Sequence, residues 1–251
     1  MATAFDQTSS KFRENALVER WFFTCMALAM LAISMAGFLP SIVHPAARHA
    51  PLSPLAAAHG IVFFAWLVIF LVQSRLVATR HIAIHRRVGV AAVSILALMI
   101  PLAYSTSVSM VRRGFDLSGD LRIDHDPLFE FIFPFGDILM FSALVIAAYA
   151  YRGRPEIHKR LMLFANIVLM PAPLAHFIGH TPWLASLPAA IILVPILMFL
   201  IAAIGRDLLL ARRVHPLTLA LAILLFVSGP LRAFVIGPSA GWHQFASWLT
   251  R

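Results

Sequence analysis

Residues 158–180 read HKRLMLFANIVLMPAPLAHFIGH, and the reading of this stretch decides the fold. It opens on a basic cluster, His158-Lys159-Arg160, and continues through an almost unbroken apolar run. It then meets Pro171 and Pro173 and closes on His176 and His180. A helix on the surface of a soluble protein carries a polar face at a 3.6-residue period, and this one has almost none. It reads as a membrane span with a cationic foot and an imidazole-bearing head.

The same order of parts recurs twice. His85-Arg86-Arg87 begins a stretch that reaches Pro101-Leu102-Ala103, and Arg212-Arg213 with His215 begins one that reaches Pro230-Leu231-Arg232. Three copies in consistent order suggest a helical hairpin used three times after a first helix.

Composition agrees. Of 251 residues, 61% are hydrophobic and 12% charged, which places the chain among all-α polytopic membrane proteins, with the lipid bilayer as its first partner. The formal charge of +9 sits in short clusters between apolar runs, so it argues for membrane orientation and against nucleic acid. The lone Cys25 lies inside an apolar run, which excludes a disulfide framework and suggests a small packing residue. The first twenty residues mix acids and bases ahead of a span-length apolar segment, so the expectation is a retained first helix.

Seven spans are expected, at about 21–39, 55–77, 88–110, 131–151, 161–180, 184–204 and 216–236, in one integral membrane domain ending in an interfacial tail, 237–251. Pro40 should stop the first. Loops on the N-terminal side hold Lys11, Arg13, Arg20, Arg75, Arg80, Arg86, Arg87, Arg152, Arg154, Lys159, Arg160, Arg206, Arg212 and Arg213. The other side holds Arg48, Arg112, Arg113, Arg122 and Arg251. The N-terminus is therefore expected in the cytoplasm of a bacterial inner membrane and the C-terminus outside. Trp242 and Trp248 suit a tail lying on the outer surface.

Ionisable groups inside spans are costly and mark candidate sites. At about 1.5 Å of rise per residue, His59, Tyr104, Asp137, His176 and Arg232 fall at similar depth in the outer third, with His180 one turn beyond His176. Three chemistries suit them. His59 and His176 could ligate a haem b iron from both sides, with Tyr104 and Arg232 tuning the site. His59, His176, His180 and Asp137 could bind zinc and activate water for hydrolysis. Without a metal, Asp137 would pair with Arg232 and the histidines would bond to backbone freed by the prolines.

A second layer, His85, His158 and His215, lies at the cytoplasmic foot. It reads either as part of the positive cluster at the headgroups or, through His85 and His158, as a second haem site. His44, His49, His125 and His243 lie outside the spans. The acidic loop from Asp116 through Asp120, Asp124 and Asp126 to Glu130 lacks the glycine register of an EF-hand. The spans contain no lysine to anchor retinal. The chain has no Gly-x-Ser-x-Gly elbow, phosphate loop or His-Glu-x-x-His helix. Transport or a scaffold role stays open, and enzymatic activity is undecided.

With His59-Gly60 followed by FFAWLVIFLVQ, then His85-Arg86-Arg87-Val88-Gly89, His158-Lys159-Arg160-Leu161-Met162 and the tail GPLRAF…GWHQFASWL, the chain resembles a family of bacterial multi-span membrane proteins. That resemblance implies the fold and no particular activity. More distantly, histidines on successive central helices are similar to di-haem cytochromes of the b561 type. This implies haem, electron transfer and a quinone or other redox partner. The chain departs from that pattern in two ways: His125, standing for a fourth ligand, is in a loop, so His176 would replace it, and His85 and His158 stand at helix starts rather than within the bilayer. Seven-span zinc hydrolases of the ceramidase and adipokine-receptor type share the span count and a His-x-x-x-His pair, although theirs is in the last span.

Overall fold

The computed structural model describes residues 2–121 and 126–251, with backbone alone for 2–16 and Ala189. Arg122, Asp124 and His125 lie outside the described residues. Seven helices are long and apolar enough to cross a membrane: span 1 (Leu17–Val43), span 2 (Pro54–Ala78), span 3 (Ile82–Arg113), span 4 (Pro127–Ala150), span 5 (Pro155–His180), span 6 (Ala190–Ala211) and span 7 (Pro216–Ile236). No strand occurs among the described residues. The protein is an all-α, multi-pass membrane protein.

Span 5 is the hub. Of its most apolar stretch 61% is buried, against at most 33% in any other span. Phe164, Ala165 and Asn166 are wholly enclosed. The periphery is apolar too: Ile61, Val90, Met198 and Phe234 are among many large hydrophobic side chains pointing outward. An apolar belt of this extent is the surface a bilayer covers. Cys25 belongs to that belt, exposed rather than packed.

Helix starts follow ordinary capping rules. The Ser53 hydroxyl accepts from the Ala56 amide at the head of span 2, and the Asp126 carboxylate from the Leu128 amide at the head of span 4. His215 does the same for span 7, its Nδ1 accepting from the Leu217 amide at 3.1 Å. The third member of the expected inner histidine layer is thus a helix cap.

The three Pro-Leu repeats have three different outcomes. Span 3 runs through Pro101 as one helix. Span 5 breaks at Leu169–Met170 and restarts at Pro171, whose missing amide costs nothing at a helix start, so its Pro173-Leu174 pair lies in the restarted helix. Span 7 passes Pro230 and then widens into a π-helical turn, Arg232–Ile236. Pro40 does not stop span 1, which continues to Val43 because one proline near a helix end forfeits a single bond.

Several span ends shift by a few residues, and the shift of span 6 changes what lies inside the bundle. Span 6 begins at Ala190 instead of 184, since Ser186-Leu187-Pro188 separates it from a short helix, Pro182–Ala185. Its end therefore reaches Ala211 and takes Arg206 and Asp207 inside the bundle. The tail also differs from a purely interfacial segment. Its helix, Ala240–Leu249, is seated on the protein, with Trp242 buried against Phe131 and Phe135 and its indole N–H donating to the Leu128 carbonyl at 2.8 Å. Trp248 is exposed, as an interfacial tryptophan should be.

Candidate functional site

Of the five polar groups expected at similar depth in the outer third, Asp137 and Arg232 pair with each other, and the other three go to separate partners. Tyr104 donates its hydroxyl hydrogen to the Leu249 carbonyl at 2.8 Å, tying span 3 to the tail. Arg232 donates to the Asp137 carboxylate at 2.7 Å and to the Phe133 carbonyl at 2.8 Å, and Gly136 leaves room for its side chain. Asp137 is therefore neutralised by span 7, as the metal-free alternative expects. His59 stacks on Phe63, ring centres 4.1 Å apart, with its Nδ1 buried and unpartnered. No hydrogen bond, ion pair or ring contact joins His59 to His176 among the described residues.

His176 and His180 turn instead to the acidic loop. Their Nδ1 and Nε2 lie 3.1 and 2.9 Å from one oxygen, Oδ2 of Asp120. A carboxylate only accepts, so the His176 Nδ1 carries the shared proton. The loop is built for this approach. Asp116 accepts from the Ser118 amide at 3.1 Å and from its hydroxyl at 2.6 Å, and the Ser118 oxygen lies 3.2 Å from His176 Nδ1. Gly179 has no side chain because one would overlap the Asp120 carbonyl, and the His49 ring presses on Gly119, whose φ is +76°. Phe38 of span 1 closes the other side of His176, ring centres 4.6 Å apart. Burial pushes Asp120 up. The hydrogen bonds of His176 and Ser118 and the charges of His180 and His176 outweigh it, so its carboxyl titrates below the ordinary value. As they stand, no three His, Cys, Asp or Glu side chains among the described residues enclose a metal position.

At the basic end, His85 of span 3 and His158 of span 5 face each other, ring centres 6.4 Å apart and planes at 83°. The His158 Nδ1–H donates to the Ala148 carbonyl at 2.8 Å, which fixes its tautomer and leaves Nε2 as an acceptor. His85 interacts with the Gln73 backbone, and its Nδ1 is buried without a hydrogen bond. Arg86 and Arg87 are exposed and make no ion pair among the described residues.

Comparison with protein-family models, with curated proteins and with solved structures gives no match.

Two buried polar centres escaped the sequence reading. Asp207 accepts from Arg160 at 2.6 Å, Arg206 at 3.0 Å, the Thr218 hydroxyl at 2.6 Å and the His215 amide at 3.2 Å, joining spans 5, 6 and 7. The available signal was Leu208-Leu209-Leu210, which continues the apolar run past Asp207. Asn166, in mid-span 5, accepts from the Trp66 indole at 3.1 Å and donates to the Met162 carbonyl. Both centres hold helices together and leave no open coordination position.

Proposed function

We propose that this chain is an integral membrane redox protein that holds haem b between His85 and His158 near the basic face and carries single electrons. The observation that carries the reading is the geometry of that pair. Two imidazoles bound from opposite sides to one ion, each nitrogen roughly 2 Å from it, stand with ring centres about 6 Å apart. The separation here is 6.4 Å. The bond from His158 Nδ1 to the Ala148 carbonyl is the backbone support that a ligating histidine needs on its other nitrogen. His85 contributes a buried Nδ1 that makes no hydrogen bond.

Haem b, when bound, supplies a one-electron iron couple. The protein's part is to orient the two rings and to meet the propionates with Arg86 and Arg87, whose forked donors suit carboxylates. With basic loops inside, the site faces the cytoplasmic side of the inner membrane, and a quinol of the bilayer or a soluble one-electron carrier is the donor.

The test is haem content of the purified protein and its variants. His85→Ala and His158→Ala should each lose the cofactor, whereas His59→Ala and His176→Ala should keep it. Full haem occupancy in both His85→Ala and His158→Ala would remove the assignment.

A further inference from the structure

At the acidic face, Asp120, His176 and His180 converge without a role in that redox site. We propose that these three side chains form a binding site for one divalent transition-metal ion, with zinc as the reference ion.

The first argument is donor placement. Asp120 Oδ2 lies 3.1 Å from His176 Nδ1 and 2.9 Å from His180 Nε2. A tetrahedral ion with bonds of roughly 2.0–2.2 Å holds neighbouring donor atoms about 3.3 Å apart. The gaps are thus a few tenths of an ångström tighter than a filled site. Small outward shifts of the Asp120 carboxylate and the two rings open the position.

The second argument is an orphaned atom. His180 Nε2 is shut off from solvent and close to the carboxylate, yet its direction makes no hydrogen bond. A nitrogen held beside a carboxylate and aimed away from it is poorly used in a purely structural pair. It is well used as a ligand.

The third argument is the support around the donors. Asp116 and Ser118 fix the loop beneath Asp120, Gly179 admits the loop backbone against span 5, and Phe38 shields His176. Two imidazoles and one carboxylate suit Zn²⁺ or Fe²⁺ and are a poor set for Ca²⁺ or Mg²⁺, which take oxygen donors. Three protein donors leave a fourth tetrahedral position for water.

The experiment titrates chelator-treated protein in detergent with Zn²⁺, and in parallel with Co²⁺, whose visible absorption reports coordination. One ion per chain is expected, the ring hydrogen of His176 moving from Nδ1 to Nε2 so that Nδ1 can ligate. Asp120→Asn and His180→Gln should each weaken binding by more than about 100-fold, the upper range for changes outside the ligand set. Asp137→Asn and His59→Ala should bind like the parent. Haem content and thermal unfolding of each variant, read on the same samples, separate loss of the ion site from loss of fold. Zinc binding unchanged in a folded Asp120→Asn protein, or absent from the parent, overturns the site and leaves the His85–His158 reading untouched.

Discussion

Arg160 and Asp207 meet at 2.6 Å inside the bundle, joining span 5 to span 6, with side chains 7% and 3% exposed. Thr218 of span 7 bonds to both, its hydroxyl accepting from Arg160 Nε at 2.9 Å and donating to Asp207. Three helices are therefore pinned at one carboxylate. Removing one partner of a buried pair leaves the other charge uncompensated and costs about 3–5 kcal/mol. Asp207→Ala should lower the unfolding midpoint in detergent far more than Glu156→Ala, which removes an exposed partner of Arg160. Equal midpoints for the two variants would show that the pair does not hold the spans together.

Trp66 and Asn166 make the corresponding link between spans 2 and 5 in the apolar interior. Hydrogen bonds between membrane helices are worth about 0.6 kcal/mol on average and at most about 1.7. Trp66→Phe should therefore destabilise by about 1 kcal/mol, and adding Asn166→Leu should cost less than the sum of the single changes. A double-mutant cycle measured by equilibrium unfolding checks this.

Gly37 of span 1 lies where a side chain would overlap the Pro173 carbonyl of span 5, so the two helices touch backbone to backbone. Gly60 has open space around it. Gly37→Ala should cost about 1–3 kcal/mol by overpacking, while Gly60→Ala should be neutral or slightly stabilising. Thermal unfolding of the pair in one detergent distinguishes them.

Arg232 should resist substitution for a related reason. Its guanidinium satisfies both Asp137 and the Phe133 carbonyl between spans 7 and 4. Arg232→Ala leaves a carboxylate without a partner in the bundle, whereas Arg232→Ala combined with Asp137→Leu removes both groups. The double variant should be the more stable of the two, read as residual folded fraction after heating.

Much of the architecture was legible because long uncharged runs have few alternatives to a membrane helix. The Asp137–Arg232 pair was legible as well, since two opposite charges at equal depth in lipid have every reason to meet. Depth alone could not reveal azimuth: His59, His176 and Tyr104 share a level but leave their helices in different directions. Asp120 was hidden for another reason. It sits in a loop, and only the folded turn Asp116-Leu117-Ser118-Gly119-Asp120 brings its carboxylate to His176 and His180. Asp207 was missed because Pro188 delays the start of span 6, moving a supposed loop residue into the core.

Whether His85 and His158 hold haem b is read most directly from an absorption spectrum of the detergent-purified protein, oxidised and then reduced with dithionite. A Soret band with α and β bands that sharpen on reduction is expected in the parent and should be missing from a folded His158→Ala variant. A parent protein purified from haem-replete cells with no Soret absorption, or a His158→Ala protein with an unchanged spectrum, would contradict that assignment.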